Sequence, residues 1–193
     1  MIVWSTQPLE AVEQINETGV FVCDPSRSFN LTKADSLKPA YRWLNEQMKQ
    51  KIGLPPEGVE YPVWAWHTWE FERKCPDPES SAFLKRDSAK ALFTLDIPES
   101  ELVLTDFDAW QNVMMNTYLG EIQSDADFEA AEQLLSSLEG EELQKIIEAS
   151  WQNVFKTDRI ENEYMIRGRY IQATFWQIRK DYILDVKILN TNA

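Results

Sequence analysis

The chain is poor in the residues from which common sites are built: one histidine, two cysteines and six glycines in 193 residues, with no long apolar run. Each shortage removes a class of function. A membrane-spanning helix needs about 20 consecutive apolar residues, and nothing here approaches that length. A zinc site is excluded because His67, Cys23 and Cys75 give too few soft ligands, and the two cysteines stand far apart. No metal ligand set is read from the sequence, since Asp96, Asp106 and Asp108 have no spacing that singles them out for Mg²⁺. The glycines, at 19, 53, 58, 120, 140 and 168, form neither a Walker loop nor a GxGxxG turn, which removes P-loop, kinase and Rossmann chemistry. Neither cysteine lies in a CxxC pair, and Met1-Ile2-Val3-Trp4 lacks the charged start of a secretory signal. A cytoplasmic protein with reduced thiols is therefore expected.

Cations are also scarce. Nineteen Lys and Arg against 32 Asp and Glu leave a net charge of −13, which argues against general nucleic-acid binding, because such affinity comes from neutralising phosphates. The acidity is concentrated: Glu121 to Glu148 holds nine carboxylates against Lys145 alone. Such a segment is either a solvated helix face or a docking surface for a basic partner, in the extreme a mimic of a phosphate backbone.

Periodicity predicts an α+β fold in a single domain, 1–193, with a mixed or antiparallel sheet. Ile2 to Ser5 reads as a strand, Pro8 as the opening of a short helix, Gly19 as its stop, and Val20 to Cys23 as a second strand. Pro39 opens a helix presenting Tyr41, Leu44, Met48 and Ile52 on one face, closed by Gly53. Ala91 to Ile97 alternates as a strand, and Asp106 or Asp108 is placed to cap a helix carrying Phe107, Trp110, Val113, Met114 and Tyr118. An acidic α-hairpin is expected over 121–156, its helices separated at Gly140. Tyr170 to Ile178 and Tyr182 to Ile188 both alternate, and a terminal β-hairpin is the natural expectation.

What the chain has in quantity is aromatic surface. Tyr61 to Phe71 contains three of eight tryptophans and the single histidine. As an extended strand it would set Tyr61, Val63, Ala65, His67, Trp69 and Phe71 on one face and Trp64, Trp66, Thr68 and Glu70 on the other. The run is then a core wall or a stacking wall for a planar ring such as a nicotinamide.

Two resemblances follow from motifs spread along the chain. Trp4-Ser5-Thr6-Gln7, Tyr41-Arg42-Trp43-Leu44, Tyr61 to Trp66, Leu104 to Trp110 and Ile171 to Trp176 together resemble an uncharacterised bacterial domain family, which implies a bacterial or phage origin and a stand-alone cytoplasmic protein. Trp4-Ser5-Thr6, the helix through Val12 and Ile15, and Gly19-Val20-Phe21 are similar to the opening strand, helix and glycine of the ADP-ribosyltransferase superfamily. That resemblance implies NAD as cofactor, Ser5 and Thr6 near the nicotinamide amide, Tyr61 and Trp66 as stacking surfaces and His67 as a polar contact. Gln172 stands where the superfamily carries a glutamate, and Trp4 where it carries His or Arg. A neutral amide cannot stabilise an oxocarbenium-like centre as a carboxylate does, so NAD binding without transfer is as compatible as catalysis.

Two functions are therefore expected as alternatives. One is an ADP-ribosyltransferase-like protein that binds or uses NAD through Ser5, Thr6, Tyr61, Trp66, His67 and Gln172. The other is a non-enzymatic acidic inhibitor, such as an antidefence factor, that docks on a basic protein. Convergence of Ser5, Thr6, His67 and Gln172 in one pocket favours the first, and their dispersal favours the second.

Overall fold

Alternation builds the first strand, β1 (Ile2–Pro8), which buries Val3 and Ser5 and leaves Ile2, Trp4 and Thr6 half-buried. Pro8 ends this strand, opposite Lys90, instead of opening a helix. The helix α1 (Glu10–Thr18) follows, with Ala11 and Ile15 inward. It is closed by Gly19 at φ 82°, whose N–H donates to the Ile15 carbonyl. The computed structural model describes residues 1–32, 34–77 and 90–189. After β2 (Val20–Val22) and one helical turn, α2 (Phe29–Thr32), comes α3 (Lys38–Ile52), with Pro39 in its first turn and Tyr41, Leu44 and Met48 buried. The aromatic run forms β3 (Val63–Trp69), and β4 (Lys90–Asp96) and β5 (Val103–Asp106) follow. The Asp106 carboxylate caps α4 (Phe107–Met114) by accepting from the Ala109 N–H.

The acidic segment is helical as expected, in α5 (Asp125–Ser136) and α6 (Gly140–Ser150). Neither helix contains a fully buried residue. Their carboxylates therefore serve solvation more than packing. The chain ends in β6 (Ile160–Glu161), β7 (Ile166–Arg167), β8 (Tyr170–Phe175), β9 (Gln177–Arg179) and β10 (Ile183–Leu189). Among the described residues no helix is long and apolar enough to cross a membrane.

Six strands form one sheet in the order β10-β4-β1-β3-β8-β5, with every neighbouring pair antiparallel. β2 pairs with β9, and β6 with β7, as two small ribbons. The fold is α+β, as the periodicity predicts. The terminal hairpin is not formed: β8 lies between β3 and β5, whereas β10 lies at the far edge against β4. Trp176 leaves the strand, buries its indole and donates Nε1–H to the Gly53 carbonyl at 3.0 Å, after which β9 turns to β2. Arg179-Lys180 leads into a 3₁₀ turn at Lys180–Tyr182, not a hairpin turn. Alternation reports which face of a strand is buried and says nothing of which strand lies beside it.

The two faces of the sheet carry separate cores. On one, Val3, Ala65, Phe93, Leu95, Ala173 and Phe175 pack with Ala11 and Ile15 of α1. On the other, Tyr41, Leu44 and Met48 of α3 meet Trp110 and Val113 of α4, together with Trp151, Val154 and Trp176. Full burial of a Leu, Met or Phe side chain stabilises by about 1.5–3 kcal/mol. α3 and α4 thereby cover the β3-β8-β5 half of the second face, which fixes where a cleft can form.

Candidate functional site

The sheet is weakest at its middle. β1 pairs with β4 along its whole length, Ile2 to Pro8, and β3 pairs with β8 from Val63 to Trp69. Between β1 and β3 the ladder reduces to Trp4 opposite Trp66. Side chains supply the missing ties. The buried Ser5 hydroxyl donates to the Trp64 carbonyl at 2.7 Å and accepts from the Gln7 amide at 2.8 Å. On the other side of that pair the Arg73 guanidinium donates to the carbonyls of His67, 2.6 Å, and Ile2, 2.8 Å.

β3 contains a second irregularity. Trp66 lies opposite Gln172 and Thr68 opposite Ile171, so His67 has no counterpart and forms a β-bulge. Trp66 and Trp69, which strict alternation would place on opposite faces, meet edge to face with centroids 5.0 Å apart. Val63, Ala65 and Thr68 are the buried residues of this strand. The expected common face of Tyr61, Val63, Ala65, His67, Trp69 and Phe71 is thus broken at the bulge. His67 sets Nδ1 2.9 Å from the Thr68 hydroxyl. Burial first, then the nearby Arg73 cation, pushes its pKa down from 6.5 to about 4, so the ring is neutral at neutral pH.

Register carries one row of side chains across five strands: Thr94, Trp4, Trp66, Gln172 and Thr105 stand opposite one another in turn. Directly opposed residues share a face, so these five side chains share one surface. Where β1 and β3 separate, a cleft of about 590 Å³ opens, lined by Trp4, Thr6, Trp64, Trp66, Lys90 and Gln172, with Phe21 and Cys23 from the β2 side. Lining residues from both faces of the sheet place the cleft in the gap between the strands. Burial raises the pKa of Cys23, which keeps it a thiol.

Of the six residues singled out in the sequence, Thr6, Trp66 and Gln172 converge in this cleft. Ser5 points to the opposite face, where its hydroxyl is used by the backbone of β3. Tyr61 packs edge-on against Tyr41 of α3, with centroids 6.4 Å apart, and His67 sits in the bulge outside the lining. One strand phase, one loop position and one bulge set these three apart from the cleft. Trp4 and Lys90 were missed. Trp4 shares the phase of Thr6 and was legible on that basis, whereas nothing local marks Lys90. Among the described residues the lining holds no carboxylate, and Glu161 lies in β6, paired with Arg159 at 2.7 Å.

A second cavity, of about 310 Å³, lies beside Asp106, Tyr118, Glu121, Tyr164 and Arg167. Its charges are engaged in structure. Asp106 accepts from the N–H groups of Ala109 at 2.9 Å and Gly168 at 2.7 Å, while Arg167 bridges Glu121 and Asp158. Burial is the largest influence on Asp106 and raises its pKa. No group of three or more His, Cys, Asp or Glu able to hold a metal ion occurs among the described residues.

A match to the sequence pattern of DUF3841, described as a domain of unknown function, extends over residues 2–184. The chain belongs to the DUF3841 family. Neither the curated proteins nor the solved structures offer a match. The DUF3841 match contains every residue lining the β1–β3 cleft, so the cleft lies within the family's domain.

Proposed function

We propose that the β1–β3 cleft binds a planar heteroaromatic ligand of the NAD class and does not transfer its ADP-ribose. Thr6 and Gln172 meet Trp66 in one cleft, whereas Ser5 and His67 lie outside it, and the meeting of those three residues supports this reading. Trp4 and Trp66 offer indole surface for a ring, each stack being worth about 1–3 kcal/mol, while the Trp64 indole packs on Tyr41 and Trp110. The Gln172 amide and Thr6 hydroxyl supply donors and acceptors for a carboxamide or a ribose hydroxyl, and Lys90 supplies the cation for a diphosphate. Thr6, Trp66 and Gln172 are three of the six residues to which the ADP-ribosyltransferase resemblance points. The lack of a carboxylate among the described lining residues favours binding over transfer, because an oxocarbenium-like centre would meet neutral groups and the Lys90 cation, with no anion to stabilise it.

Calorimetry with NAD tests the proposal, with tryptophan fluorescence as a second signal. Saturable binding is expected, weakened by about 5- to 150-fold in Trp66→Ala, the factor that corresponds to losing one stack. Absence of heat and of fluorescence change at millimolar NAD, with the protein folded by circular dichroism, would overturn it. Release of nicotinamide on prolonged incubation would replace binding by catalysis.

A further inference from the structure

The two edges of the six-stranded sheet differ. β5 is short and buries Val103, Thr105 and Asp106, and its face lies beneath α3, α4 and the turn at Trp151–Phe155. β10 is seven residues long and, among the described residues, has β4 as its single strand neighbour. Leu184 is 60 % exposed and Ile188 45 %, with Asp185 and Lys187 also in solvent. An open edge of this length is a template for another strand unless its chemistry forbids pairing.

The chemistry of β10 is self-complementary. Ile183-Leu184-Asp185-Val186-Lys187-Ile188-Leu189 reads apolar, apolar, acid, Val, base, apolar, apolar, in either direction once the charges are exchanged. We propose that two copies of this chain associate through β10, antiparallel, about a two-fold axis at Val186. Val186 then lies opposite Val186 of the second copy. Asp185 lies opposite Lys187 of the second copy and Lys187 opposite its Asp185, so two ion pairs flank the axis.

Other registers are worse. Opposed residues must share a face, so the axis must fall on a residue and not between two. An axis on Asp185 opposes two carboxylates, and one on Lys187 opposes two ammonium groups. The register at Val186 joins unlike charges on both sides of the axis. It continues both faces of the sheet into the second copy, as an isologous interface does. The bulge that displaces Leu184 leaves Asp185–Leu189 regular in each copy, so about this axis the ladder that is regular on both sides is Asp185–Lys187 and the association is of moderate strength.

Sedimentation equilibrium of the full chain, over roughly 1–500 µM as a short-strand interface of moderate affinity requires, provides the test. Wild type is expected to pass from monomer to dimer. Asp185→Lys and Lys187→Asp each turn two attractive pairs into repulsive ones and should weaken the dimer by about tenfold or more. The double variant Asp185→Lys with Lys187→Asp restores the pairing and should return the affinity to within about threefold of wild type. Both positions are exposed, so circular dichroism should show all the variants folded. A wild type that stays monomeric throughout would identify the bulge and the two charges as edge protection and overturn the proposal. A dimer insensitive to the single reversals, or one not rescued by the double variant, would overturn it as well.

Discussion

His67 shows how the setting of a residue decides its chemistry. The histidine that stands out in the sequence is held in a bulge, partly desolvated, and close to the Arg73 cation. Its folded pKa of about 4 lies below the ordinary 6.5, so the unfolded chain takes up a proton that the folded chain refuses. The associated stability is complete above about pH 6.5 and is lost as the pH falls towards 4. Melting temperatures between pH 7 and 4.5 should therefore fall more steeply for wild type than for His67→Gln; parallel slopes would contradict this account. Three of the six residues singled out in the sequence share one cleft. Thr6, Trp66 and Gln172 follow from strand phase and resemblance. Ser5 did not, because its phase faces the other core, and neither did His67, because a bulge is set by the partner strand.

At the scale of elements, Asp106 joins a strand to a helix and to a distant turn. One carboxylate oxygen caps α4 at Ala109 and the other accepts from Gly168, 62 residues later, at 2.7 Å. The cap was readable from Asp106-Phe107-Asp108 preceding an apolar helical pattern. The second bond was not, since nothing local announces Gly168. Gly168 is at φ +79°, and a Cβ there would come within 3.1 Å of the Asp158 and Thr157 carbonyls, so the turn that presents this N–H requires glycine. Asp106→Ala should cost about 2–4 kcal/mol, a lost cap together with a buried N–H left without an acceptor. Urea titration would measure it. A loss below about 0.5 kcal/mol would mean that water replaces the carboxylate.

At the scale of the molecule, two three-stranded halves, β10-β4-β1 and β3-β8-β5, meet along one register pair. Five of the six strands, all but β5, were visible in the sequence as extended runs, and their order was not, because order depends on pairings between distant residues. Ser5 is the buried tie across the join. Ser5→Ala should lower stability by about 1–3 kcal/mol, through the Trp64 carbonyl left without its donor. It should also raise amide exchange in β1 and β3 more than in β4. Uniform exchange would show that the halves open together and that the tie has no local effect.

The same strand order has a consequence in time. Of the six strands of the sheet β1 is the first to be synthesised, and it lies in the middle of the finished sheet, between β4, complete at Asp96, and β3. At about 5–20 residues per second, the apolar side of β1 waits roughly 5–20 s for the neighbour that pairs along its whole length to emerge. Val3, fully buried in the folded protein, spends that interval without the strand that covers it.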